Sequence, residues 1–397
     1  MFRIRFSIFL SVFVAMVGLM IIAPVMPPLI RELGLNELHS GIIISLGSIA
    51  MAVMAPVWGR LSDRKGRKAV IVIGFIGMFV SYVLFTATMY AGLSQLIGGG
   101  LLVLLLIVAR GLIGMFIPAV PSAAQAYMAD VTDEKGRAGG MAFIGAANGM
   151  GLVLGPAIAG AFALIGLIWP LYIGALLPIV ALLVVTFLIP AQKPVIQEKL
   201  PKVNPFQKGL TLYLFAGLAT MLSIVTLQVV GGFYFQDQLS LTTKETARMI
   251  SVGLMISGVA MIVTQGLQMK NPKWQPKPLI LVGSLLVIIS LSLFLFFMNL
   301  MVYYVAFFLF GIGTGFMMPG FMAGSSLAVG REQQGSVAGL VASVQGISAV
   351  IAPILSTSLY QLDKHLPFAV VGVLVILMGM TLLFSNKEKG YTTQRHL

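Results

Sequence analysis

The sequence predicts an all-α membrane protein, with twelve transmembrane helices arranged as two pseudo-symmetric six-helix bundles. Three observations lead there. Of 397 residues, 58% are hydrophobic and the mean hydropathy is +1.01, against ~45–50% apolar content in a soluble domain. The apolar residues fall into about twelve stretches of roughly 18–28 residues. Each is long enough to cross ~30 Å of hydrocarbon, and in lipid a helix satisfies its own backbone hydrogen bonds. The Lys and Arg residues, on a chain of net charge +13, crowd into alternate connections between those stretches. A β-barrel would show alternating ten-residue segments instead, and none is visible.

The first expected span covers 6–30. Arg3 and Arg5 precede an apolar run that is too long for a signal peptide and lacks a convincing small-residue cleavage site, so it reads as an uncleaved span. Pro24 and Pro27 remove backbone donors and bend its outer end. After a span at 41–58 comes the connection 59–68 (GRLSDRKGRK), with five cations and a single acid, Asp63. Gly59 and Gly66 permit a tight reversal there. Spans at 69–89 and 100–128 follow. Arg110 stands about 14 Å into the second of these, near the midplane, at ~1.5 Å per residue. A charge at that depth is a functional candidate by default. Spans at 138–162 and 165–189 complete the first half.

Residues 190–209 (PAQKPVIQEKLPKVNPFQKG) are proline-rich with four lysines and one glutamate. They read as a solvated linker between domains 1–189 and 210–397. The second half is expected to span at 210–235, 247–269, 278–297, 301–329, 337–360 and 367–385, ending in a short tail. Gly114-x-x-x-Pro118 recurs as Gly315-x-x-x-Pro319, and Gly155-Pro156 as Ala352-Pro353. Glycine and proline are common in membrane helices, so these echoes count chiefly together with the linker. An offset near 200 residues then suggests two copies of one bundle, with a solute site between them.

With these spans, twenty of the twenty-five Lys and Arg lie in 59–68, 129–137, 190–209, 270–277, 330–336 and the two tails. Positive residues resist translocation, which puts those loops and both termini in the cytoplasm. The basic charge is therefore a matter of topology, and nucleic acid is not an expected partner. There is no cysteine, and His39, His365 and His396 are scattered, so no disulfide or metal cluster is expected.

Four motifs stand in order in the first half: Gly18-x5-Pro24-Val25-x-Pro27, the 59–68 loop, Arg110-x-x-x-Gly114, and Gly151-x-x-x-Gly155-Pro156-x-x-x-Gly160. Together they resemble those of the drug:proton antiporter branch of the major facilitator superfamily, the twelve-span multidrug and tetracycline-type exporters. The resemblance implies proton-coupled export of small amphiphilic molecules by alternating access. It also implies a monomer in a bacterial inner membrane, powered by the proton gradient and needing no cofactor. It assigns Asp63, within Gly59, Arg64, Gly66, Arg67 and Lys68, to a latch. That latch would face the N-terminus of the helix after 330–336 in the other half. Arg110 is assigned to proton transfer, Pro24 and Pro27 to a hinge, and the glycines and Pro156 of the fourth motif to export. Topology anchoring explains most of the loop's cations equally well, and close packing explains a glycine face.

All twelve Asp and Glu fall in loops, tails or span ends. An organic cation would be buried without a counter-charge, so a neutral or anionic solute fits better. Export of an endogenous anionic metabolite, such as a carboxylate siderophore, is the alternative reading. Proton-carrying candidates are Asp63, Asp130, Glu32 and Asp237, the last two reading more simply as solvated loop residues. Candidate lining residues are Met16, Met20, Gln125, Asn148, Gln228, Tyr234, Gln265 and Gln345, together with Arg110. The chain is methionine-rich, which suits a site that repacks around varied solutes. A channel filter or an intramembrane catalytic constellation is absent from the sequence.

Overall fold

The structure is a computed structural model and describes residues 2–131, 134–190, 204, 207, 209–270, 275–330 and 333–385. Among them there are fourteen helices and no strand: α1 Phe2–Ile21, α2 Met26–Glu32, α3 Glu37–Lys65, α4 Arg67–Leu93, α5 Gly99–Phe116, α6 Ala119–Val131, α7 Glu134–Ala163, α8 Trp169–Leu188, α9 Leu210–Leu239, α10 Thr243–Lys270, α11 Pro276–Phe296, α12 Leu300–Leu327, α13 Gln334–Leu362 and α14 Leu366–Phe384. Twelve segments are long and apolar enough to cross a membrane, with α5 and α6 together forming one. Most of the 190–209 linker and the tail beyond 385 lie outside the described residues.

Local chemistry sets the helix ends. Asn36 caps α3 and exchanges hydrogen bonds with His39 at its N3 position. Asn299 caps α12, accepting from Met301 and Val302. Prolines open α2, α8, α11 and α14, where a missing N–H costs nothing.

Three expectations need correction. The first span is not one helix: the chain turns at 22–25 and restarts as α2, because Pro24 cannot donate and Pro27 and Pro28 favour a fresh helical start. The 100–128 span is likewise interrupted at Ile117 and Pro118 for the same reason. The 59–68 segment is mostly not a loop. α3 runs to Lys65 and α4 starts at Arg67, leaving Gly66 as the reversal at φ +92°, a conformation that favours glycine. Gly59 sits inside α3 and has no turn role.

The two halves repeat one packing. α5 crosses α3 so closely that a Cβ on Gly114 would overlap the Gly47 carbonyl oxygen, and α12 crosses α10 with Gly311 against the Ser257 carbonyl. Gly315, the expected echo of Gly114, also faces α10, at Met261 and Thr264.

Contacts between the halves gather away from Gly66, at what we term the far end as opposed to the basic end. On α3, Gly41 abuts Thr357 of α13, and Ser45 Oγ donates to the Val350 carbonyl at 2.6 Å. Pro27 of α2 packs on Gly232 of α9, and Gly160 of α7 on Ser251 of α10. Toward the basic end these pairs separate. A Cβ on Gly149 would still meet Ile262 at 3.6 Å, whereas Gly145 and Gly266 face open space.

Candidate functional site

That splaying leaves a chamber of about 430 Å³ between the halves, walled by α1, α3, α7, α9, α10, α12 and α13. Its surface is mainly apolar and rich in methionine: Met20, Met51, Met221, Met261 and Met318. Gln228 and Gln345 supply side-chain amides, and Pro156 lines the wall from α7. A groove of about 320 Å³ shares Ala342 and Gln345 with the chamber and continues along α12 and α13 past Ser326 and Val337 toward the basic end. Deeper in, a recess of about 140 Å³ shares Met20, Met51, Val225 and Gln228 with the chamber and reaches Arg110, Ser48, Met26 and Pro27.

Arg110 projects from α5 across the bare Cα of Gly47, where a Cβ would come 2.9 Å from Arg110 Cγ. The side chain is buried and its Nε has no hydrogen-bond partner. The described residues bordering chamber and recess include no carboxylate. Tyr82 of α4 donates its hydroxyl to the Gly18 carbonyl, which ties the first motif to α4.

At the basic end Arg67 is the organising group. It is 3% exposed, donates to Asp130 Oδ2 at 3.1 Å and to Ser62 Oγ at 2.7 Å, and pairs with Asp63. Two carboxylates thus share one buried guanidinium. In this conformation the halves stand apart at the basic end, and among the described residues Asp63 pairs with Arg67 of its own half; the expected latch belongs to the conformation closed on this side. The Asp63–Arg67 pair itself is local, since α3 stays helical to Lys65 and only Gly66 separates the two residues' helices. Arg64 is exposed and Lys68 donates to the Thr186 carbonyl at 2.8 Å, within its own half.

At the far end a clasp joins the halves. Arg31 of α2 holds Asp237 of α9 through both carboxylate oxygens, at 2.5 and 2.9 Å, and donates to Gln236 at 3.0 Å. Glu37 accepts from Arg31 at 2.8 Å, Tyr360 of α13 donates to Asp237 at 2.6 Å, and the guanidinium lies 5.2 Å from the Phe233 ring centre. Burial alone would lower the Arg31 pKa, but hydrogen bonds with Asp237 and Glu37 carry it above its ordinary value. Asp237, expected as a solvated loop residue, is instead in the last turn of α9 with two partners from other helices. No sequence signal pointed to this group.

The sequence profile of the Major Facilitator Superfamily matches residues 8–353 and 273–396. The chain belongs to that superfamily. Multidrug resistance protein 2 of Bacillus subtilis (strain 168) is 25% identical, the alignment covering 96% of each chain. The class B tetracycline resistance protein of Escherichia coli is 27% identical over 94% of each. The crystal structure of nucleoside transporter NupG aligns with a TM-score of 0.74 at 12% identity, covering 96% of this chain and 99% of that one. The protein is a multi-pass membrane transporter and not an enzyme.

Within this superfamily member, the remaining expected residues divide into wall and frame. Met20, Gln228, Gln345 and Pro156 border the chamber and Arg110 the recess. Tyr234 does not: it is fully buried inside the C-terminal half, donating to the Phe294 carbonyl at 2.8 Å and accepting from Gln238 at 3.1 Å. Met16 packs beneath Gly151 as Met20 does beneath Gly155, seating α7 on α1. Gln125 is exposed and Asn148 half-buried, and neither borders the chamber or the recess. The fourth motif therefore has two uses: Gly151 and Gly155 hold α7 to its own half, and Gly160 brings it against the other. Pro24 lies in the turn before α2.

Proposed function

We propose that this transporter exports small amphiphilic molecules across a bacterial plasma membrane by alternating access, coupled to proton entry. The observation that carries the reading is the methionine-rich chamber shared by both halves, closed at the far end by the Arg31–Asp237 clasp and opening toward the basic end. The positive-inside bias places the basic end and both termini in the cytoplasm, which makes this conformation inward-open. The moving bodies are residues 1–189 and 210–397, joined by 190–209. Multidrug and tetracycline resistance proteins among the relatives support efflux as the direction. Asp63 and Asp130, paired through Arg67, are the acids proposed to take part in coupling at the cytoplasmic face. The unit is a monomer.

The test is flux in proteoliposomes under an imposed pH gradient, with a panel of neutral, cationic and anionic fluorescent amphiphiles. Saturable accumulation that collapses with an uncoupler is expected. Flux that neither saturates nor responds to the gradient would reject the reading. A second reading, export of an endogenous anionic metabolite, is favoured by Arg110. Comparing secreted acids between a deletion strain and its parent separates the two.

A further inference from the structure

We propose that Arg110 docks an acidic group of the transported molecule, so that the site selects amphiphiles bearing a carboxylate or similar oxyanion. This deepens the transport reading above and rests on it. Arg110 is 6% exposed yet borders the recess. Its Nε has no partner, and the four ion pairs among the described residues involve only Arg31 and Arg67 as cations. A guanidinium in the hydrocarbon zone without a counter-charge is unfavourable, and the described residues of the walls around it offer none. The counter-charge must then come from what enters the cavity.

Geometry adds to charge. The guanidinium is a rigid planar fork that meets a carboxylate in two parallel hydrogen bonds. Gly47 leaves the side chain room to lie along α3: a Cβ there would stand 3.4 Å from Arg110 Cζ. Met20, Met51 and Val225 border recess and chamber alike, and give an apolar body a continuous surface beside the charge. Gln228 also borders both spaces and supplies an amide for a second polar group. An organic cation would meet the opposite conditions, an unneutralised positive charge and no carboxylate.

Three probes on one ring system test this: naphthoate, naphthamide and naphthylmethyl-trimethylammonium, titrated by calorimetry into the purified full-length protein near neutral pH. Naphthoate is expected to bind at least about tenfold more tightly than naphthamide. Arg110→Gln should remove that preference, bringing the naphthoate and naphthamide affinities within about twofold of each other, and Arg110→Lys should keep part of it. If Arg110→Gln does not fold, the wild-type panel still decides, because equal affinities or a preference for the ammonium overturn the proposal. Chloride titrated alone identifies the other source of negative charge. Full displacement of naphthoate by chloride at matched concentration also overturns it. Vesicle uptake of the same probes separates the two levels: movement of the amide or ammonium without preference for naphthoate sinks this inference and keeps the transporter. Binding without movement of any probe sinks the transport reading instead.

Discussion

The two halves share a scaffold but fill it with opposite chemistry. Four residues before the glycine that crosses its neighbour, α5 carries Arg110 and α12 carries Phe307. Around Phe307 the C-terminal half builds an aromatic core, with Phe294 at 5.2 Å, Phe235 at 5.5 Å, and Tyr303 and Phe368 4.9 and 6.5 Å from Phe235. Among the described residues, the N-terminal half instead buries the guanidiniums of Arg67, with two carboxylates, and Arg110, with none. One bundle is stiffened by ring packing, and the other holds charge where stability alone would not put it. Selection of the solute is therefore expected to depend more on the first half, and the second to serve as the rigid wall against which it moves.

The largest expected effect tests the shared scaffold. Gly114→Val and Gly311→Val should each prevent close helix crossing, so that almost no monodisperse protein is recovered by size exclusion in detergent. Survival of one variant but not the other would show that the crossing is essential in a single half. Next, Phe294→Ala should cost about 3–5 kcal/mol of stability, as aromatic truncations in packed cores do, read as a lower thermal midpoint. Naphthoate affinity of the remaining folded protein should be unchanged.

Arg110→Met sharpens the contrast in the other direction. Replacing an uncompensated buried charge with a flexible apolar chain is expected to stabilise by about 1–3 kcal/mol, and to abolish discrimination between naphthoate and naphthamide. A lower melting temperature would mean that Arg110 has a structural partner after all. The smallest effect concerns the clasp. Asp237→Asn removes one charge from a partly exposed pair, worth about 1 kcal/mol, a roughly fivefold shift in conformer population. The cysteine-free chain makes this measurable, because a single Cys at Ser251, buried against Gly160 where the halves meet, reports its reaction with a membrane-impermeant maleimide. Faster labelling in Asp237→Asn than in the parent is expected.

Much of the architecture was legible because hydropathy reports span number directly. Each of the twelve expected stretches has its helix, and the charge at Arg110 was visible because so little else in those stretches is charged. The breaks at 22–25 and 117–118 were harder to read, since proline inside an apolar run barely alters its hydropathy. Gln228 and Gln345 were found because an amide is disfavoured against lipid. The same logic misled for Tyr234, whose hydroxyl is absorbed by a neighbouring carbonyl and an amide within its own bundle. Arg31 and Asp237 lie 206 positions apart, and no local pattern connects residues that meet only when the bundles close.

The separate short helix Met26–Glu32 carries a final consequence. Arg31 rides on a segment divided from the chamber wall by its own turn, as a bolt is separate from the door it fastens. The same short helix seats Pro27 on Gly232, so drawing the bolt breaks an apolar contact along with the ion pair, and substitutions at Gly232 and at Asp237 are expected to loosen one and the same fastening.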